Sequence, residues 1–142
     1  MIWIEGNVPS SKNSKVKGPN GIFSSKVVKK YLGNLGIQRY SVGRKEVTGY
    51  KTRPNKFEEL RPLFLEAIAN KEYPIKVGFH FVRDSKRKCD FHNIVQIIAD
   101  LMVAHDFIED DNMDCFIPVP FTIKGKYYTL DKERPGVYVK IY

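Results

Sequence analysis

Two residue periods in immediate succession constrain what this chain can fold into. From Pro74 to Arg83 the sequence alternates with period two, setting Ile75, Val77, Phe79 and Phe81 against Lys76, Gly78, His80 and Val82. That pattern predicts a strand with its two sets on opposite faces. His80 then reads as an exposed or internally satisfied strand residue rather than a metal ligand. From Asn93 to Ala104 the period lengthens. Ile94, Ile97, Ile98, Leu101 and then His105 fall on one helical face, while Asn93, Gln96 and Asp100 line up on the polar one. Between strand and helix lies a basic loop, Asp84-Ser85-Lys86-Arg87-Lys88.

The remaining elements are shorter. Met1 to Glu5 reads as a strand opening into a polar loop from Asn7 to Lys15. Ser25 to Leu35 reads as a helix with Val27, Val28, Tyr31 and Leu32 on one side, ending at Gly33 or Gly36. Asn55 to Asn70 places Phe57, Leu60, Phe64, Ala67 and Ile68 at helical spacing, with Pro62 either starting the main helix or kinking it. Cys115 to Tyr128 reads as a strand turning at Lys124-Gly125-Lys126, and Pro118 and Pro120 mark it as an edge. Gly136 to Tyr142 is a last strand. Strands and helices mixed without a repeating βαβ rhythm predict an α+β fold, with a mixed or mostly antiparallel sheet carrying helices on one face. With 142 residues, 42% of them hydrophobic, residues 1–142 suit a single domain that needs no staples.

Charge narrows the partner. The 24 Lys and Arg outnumber the 16 Asp and Glu by eight, which favours a polyanion. Nucleic acid fits better than an anionic membrane, because the sequence has neither a basic amphipathic helix nor a long apolar span. The amino terminus has no basic leader or apolar core, so a cytoplasmic protein is expected. Cys89 and Cys115 are expected to be reduced, and they lack the paired short spacings of a structural zinc site. Between Lys12 and Lys30 there are six lysines and no acid. Such a segment either follows a phosphate backbone or is a solvated loop.

Against this basic background the acids are concentrated. Asp90 precedes the helix, and Asp106, Glu109, Asp110, Asp111 and Asp114 crowd nine residues just past its end. Carboxylates at a helix carboxyl terminus oppose the dipole and repel one another, so they call for a counter-charge. A hard divalent cation with oxygen ligands would supply it, although the register is not that of an EF-hand. The alternative is that Asp90 is only an N-cap and the Asp110-Asp111 run only a solvated turn. Residues alone leave both readings open.

The order Asp90-x-x-Asn93, then Asp100-Leu101, then Ile108-Glu109-Asp110-Asp111 resembles the RusA family of Holliday junction resolvases. That family's core runs roughly R-x-D-x-D-N-x-x-K, then D-x-L, then a D-D pair. Val8-Pro9-Ser10-Ser11-Lys12-Asn13 is similar to the family's loop after the first strand, and Arg134-Pro135-Gly136-Val137-Tyr138-Val139 to its final strand. The resemblance is closest from Arg83 to Asp114. It implies a homodimeric endonuclease, common in phages and prophages, that cuts four-way DNA junctions symmetrically with Mg2+ or Mn2+ in recombination and repair. Asp90 and Asp111 match its catalytic metal-binding aspartates, and Asp100 and Asp110 stand at accompanying acidic positions.

Two positions depart from the motif. His92 replaces its second aspartate, and Gln96 replaces its lysine. An imidazole at His92 can ligate metal or carry a proton, so it is kept with Asp90 and Asp111 as a catalytic candidate. A glutamine cannot supply a lysine's charge, so Lys12, Lys86 or Lys88 would have to reach in. Lys12, Lys15, Arg83, Lys86, Arg87 and Lys88 are the expected DNA contacts, holding the backbone without reading bases. Trp3, Tyr127 and Tyr128 read as core or strand packing before base stacking. Because of His92 and Gln96, a junction-binding protein without nuclease chemistry is the alternative.

Overall fold

The computed structural model describes residues 1–10, 15–18, 21–24, 26–42, 45–49 and 55–142. Along the chain run β1 (Ile2–Glu5), β2 (Lys15–Gly18), β3 (Gly21–Ser24), α1 (Lys26–Asn34), β4 (Gln38–Val42), β5 (Lys45–Gly49), a 3-10 turn (Glu58–Leu60), α2 (Arg61–Ile68), β6 (Ile75–Arg83), α3 (Phe91–Ala104), β7 (Phe116–Pro120), β8 (Tyr128–Leu130) and β9 (Gly136–Ile141). The strand and helix expected from the two periods are β6 and α3.

β6 is the axis of a mixed five-stranded sheet. On one edge it pairs antiparallel with β9, which pairs antiparallel with β1; on the other it pairs parallel with β7 and then β8. A parallel pair needs a crossover connection, and between β6 and β7 that connection is α3. The crossover sets the start of α3 just beyond the carboxyl end of β6, where the basic loop lies. Pro118 and Pro120 sit in β7, opposite Val77 and Phe79, on the edge that a missing N–H tolerates. The fold is α+β, as the pattern predicts.

One continuous core fills the helix-bearing face. Ile75, Val77, Phe79 and Phe81 of β6 join Val137 and Val139 of β9, Ile4 of β1, Val28, Tyr31 and Leu32 of α1, Phe64 of α2 and the Ile94–Ile98–Met102 side of α3. Burying each such large side chain stabilises by about 1.5–3 kcal/mol. Val27, expected on the apolar side of α1, is instead 61% exposed. Pro62 lies in the first turn of α2, after the 3-10 turn, so it starts that helix rather than kinking it.

On the second face of β6 the structure takes the internally satisfied option for His80, which is buried with Gly78 and Val82. The segment after β7 folds over them: the His80 Nδ1–H donates to the Phe121 carbonyl at 3.1 Å, and the Thr129 hydroxyl lies 3.1 Å from Nε2. Trp3 packs on Tyr138 at 4.6 Å between ring centroids. A side chain at Gly136 would collide with the Trp3 indole, meeting its ring carbons at 2.3–2.4 Å.

Three further differences concern shorter pieces. Part of the stretch read as a polar, lysine-rich loop pairs as β2–β3, in register from Lys15 opposite Ser24 to Gly18 opposite Gly21. A second ladder, β4–β5, lies where no element is predicted. α1 closes at Gly36, whose φ of +77° allows the Ile37 N–H to reach the Leu32 carbonyl at 2.9 Å. Cys89 and Cys115 are free thiols. Among the described residues no helix is long and apolar enough to cross a membrane.

Candidate active site at the start of α3

Asp90 is the residue before α3, with an extended backbone (φ −90°, ψ 132°). Its carbonyl accepts the Asn93 and Ile94 N–H groups at 3.1 and 3.3 Å. Its carboxylate caps no backbone donor. Instead it accepts from the Asn93 side-chain amide at 3.3 Å and stays exposed. Capping therefore does not account for the acid at this position; any of several polar residues can occupy an N-cap.

Further along, the polar stripe of α3 meets the loop that follows the helix. One nitrogen, Gln96 Nε2, donates to Asp100 Oδ1 at 2.7 Å and to Asp111 Oδ2 at 3.0 Å. The two carboxylates thus converge on a single amide. Asp110 is used differently: its oxygens accept from the Asp111 N–H at 2.8 Å and the Asn112 side-chain amide at 3.0 Å. Asp110 therefore shapes the turn that presents Asp111.

Two grooves flank Phe91. The first, of about 560 Å³, is lined by Arg83, Arg87, Lys88 and Asp90 at its polar rim and by Phe81, Phe91, Ile94, Pro120, Tyr127 and Tyr128 elsewhere. The second, of about 280 Å³, holds His92, Gln96 and Asp111 above Val95, Ala99, Phe116 and Pro118. Asp90 and Asp111 are thus in adjacent grooves and do not share a partner. Six residues of helix separate Asp90 from Gln96, roughly 9 Å along the axis at about 1.5 Å per residue. Among the described residues no three His, Cys, Asp or Glu side chains converge as a metal cluster.

The donor set nevertheless suits a hard cation. Asp100 and Asp111 already face one amide, and turning that amide about its bond would present the Gln96 oxygen to the same point, giving three hard oxygen donors. His92 borders the same groove.

The expected DNA contacts divide. Arg87 and Lys88 are exposed on the groove that holds Asp90, whereas Lys86 is exposed outside that lining. Arg83 lines the groove too, but its guanidinium donates to the Val8 carbonyl, and the neighbouring Asp84 N–H donates to Asn7 Oδ1 at 3.2 Å. Arg83 therefore ties the end of β6 to the loop after β1. Lys12 and the side chain of Lys15 lie outside the described residues.

Tyr127 and Tyr128 differ most from the expectation of packing. They are 65% and 53% exposed, and both line the basic groove. The sequence signal for this is the Lys124-Gly125-Lys126 turn just before the pair, which the structure forms with positive φ at Lys124 and Gly125. Phe91 and Pro120 escape sequence reasoning because only tertiary packing makes them groove walls. In comparisons with known proteins, no family model matches the chain and no curated protein matches it.

Proposed function

We propose that this chain is a divalent-metal-dependent endodeoxyribonuclease that resolves four-way DNA junctions as a homodimer, in recombination and repair. The observation that carries the reading is the meeting of a basic groove and a carboxylate groove at the start of one helix. A polyanion-binding surface next to a groove that carries carboxylates makes chemical sense where a cation bridges acid and phosphate. The ordered Asp90, Asn93, Asp100, Asp110 and Asp111 series, similar to that of the RusA resolvases, supports the same reading.

In this mechanism Arg87 and Lys88 hold the DNA backbone so that it crosses the start of α3 from Asp90 toward Asp111. Asp111 and Asp100, with the Gln96 carbonyl, would hold Mg2+ or Mn2+. Such an ion supplies charge neutralisation at the phosphate and a more acidic bound water. Water adds to phosphorus and gives up a proton to solvent, the bond to the 3′ oxygen breaks, and that oxygen takes a proton. His92, exposed beside Asp111, is the candidate to ligate metal or to deliver this proton. A two-fold dimer would match the near two-fold symmetry of the junction and pair the cuts.

One observation favours the alternative, a junction-binding protein without chemistry. The Gln96 amide satisfies Asp100 and Asp111 as they stand, which is what an acid pair relieved of metal duty would need. Incubating a labelled synthetic four-way junction with Mg2+ or Mn2+ separates the two. Paired symmetric nicks, lost in Asp90→Asn and Asp111→Asn, are expected; tight junction binding with no nick in either metal would establish the binding protein instead.

A further inference from the structure

The larger groove is more apolar and more aromatic than holding a phosphate backbone requires. Phe81 and Phe91, edge to face with centroids 6.0 Å apart, line it together with Ile94. Two consecutive tyrosines that the fold leaves largely in solvent line it as well. Tyr128 opens β8, whose parallel pairing with Phe81–Arg83 of β6 fixes it over the groove. Exposing two large aromatic side chains beside an open apolar cleft forgoes the burial that usually retains them, so a ligand that covers them accounts for their position.

The rim identifies that ligand. Arg83, Arg87 and Lys88 stand against a single acid, Asp90, in a chain whose net charge is +8. A partner with a flat apolar body and an anionic edge complements such a cleft, and a nucleotide has both. Aromatic side chains take any base by its π-face, and a groove of this size is in the range that encloses a small organic ligand. Within an intact duplex the base faces are covered by stacking, so a base must leave the stack to enter.

We propose that this groove takes one unstacked nucleobase of the DNA, with Tyr127 and Tyr128 as its stacking surfaces and Arg87 and Lys88 on the adjoining phosphates. The inference rests on the DNA-enzyme reading and adds a selection rule to it. Because Asp90 lines the same groove, the nucleotide whose base is held presents its phosphate at Asp90. Branch points and bulges, where bases are already unpaired, avoid the cost of unstacking, and intact duplex does not. Substrate choice then follows from the groove as well as from dimer geometry.

The test uses two duplexes of equal length, one fully paired and one with a single unpaired 5-iododeoxyuridine, in chelator so that no cutting occurs. For the intact chain, preferential binding of the bulged duplex and a photo-cross-link mapping to Tyr127 or Tyr128 are expected. The preference should fall about tenfold, the scale of one lost base–aromatic stack, in the Tyr127→Ala/Tyr128→Ala pair. It should survive in Tyr127→Phe/Tyr128→Phe, which keeps the rings. Equal binding of both duplexes, or a cross-link mapping elsewhere, would overturn the base groove and leave the nuclease reading standing. Failure to bind either duplex at low salt while a four-way junction is still bound would overturn the base groove alone, and failure to bind the junction as well would overturn both.

Discussion

At its carboxyl end α3 is closed by packing and hydrogen bonds, whereas at its amino end it is open to solvent on two sides. Asp106 follows the helix with φ +59°, a left-handed conformation that aspartate tolerates better than most residues. That turn lets the Phe107 N–H reach the Met102 carbonyl at 2.8 Å. Phe107 stacks on Phe57 at 4.7 Å and meets Phe64 at 5.3 Å, so the loop leaving the helix is anchored in the core. At the amino end Asp90, His92 and Gln96 are exposed and Phe91 divides two grooves. The contrast teaches how a helix can hold an exposed carboxylate in place: the anchored end fixes the direction in which Asp111 returns toward Gln96.

Breaking the closed end should have the largest effect. Phe57→Ala removes a ring with no exposed surface, and truncations of that kind cost about 3–5 kcal/mol. A urea melt should show its midpoint displaced far below that of Leu63→Ala, a change at a position 54% exposed. Equal midpoints would mean that the carboxyl end is no anchor.

The open end should respond in chemistry and not in stability. Asp111→Asn keeps an oxygen for the Gln96 amide but removes the charge. Junction cleavage should drop on the order of a hundredfold or more, as for loss of a metal-binding group, with the thermal midpoint unchanged and DNA affinity undiminished. A variant that cuts normally would remove Asp111 from the site. A smaller effect is expected across Phe91 in the basic groove. Arg87→Ala and Lys88→Ala should each lower the slope of log affinity against log salt by about one, the signature of one lost phosphate contact. An unchanged slope would place the DNA elsewhere.

Local pattern foretold much of this and long-range closure foretold little. β6 and α3 were legible because each repeats its apolar residues at a regular period, and Pro118 and Pro120 gave away the edge because a missing N–H restricts where a strand can pair. The burial of His80 was not legible: its partners, Phe121 and Thr129, lie 41 and 49 residues away, and alternation reports only that two faces differ. β4–β5 pairs through backbone groups that any sequence carries. At the site, spacing aligned Asn93, Gln96 and Asp100, but that Asp111 joins them depends on how the loop after α3 returns. Gln96 looked like the loss of a charge; in the fold it is the donor that brings two acids together.

The subtlest difference between the two ends is in protonation. His105 caps the closed end, is almost fully buried and stacks against Phe57 at 5.0 Å. Its Nδ1–H donates to the Leu101 carbonyl at 2.8 Å, and Nε2 accepts from the Asn55 amide at 3.2 Å. Asn55 cannot turn over cheaply, because its oxygen already accepts the Glu58 N–H at 2.7 Å. A proton on Nε2 would therefore face another donor. Burial lowers the pKa of His105, and the Leu101 carbonyl and the charges of Glu58 and Asp106 oppose that shift without reversing it. With the folded value below the unfolded one, the unfolded chain takes up the proton first as pH falls through about 6.5. The stability from a neutral His105 is thus complete above that pH and declines below it. Thermal midpoints taken from pH 7.5 to 5 should fall for the native chain and fall less steeply for His105→Gln, which cannot titrate. Equal slopes would assign the acid sensitivity to other groups and leave the closed end indifferent to pH.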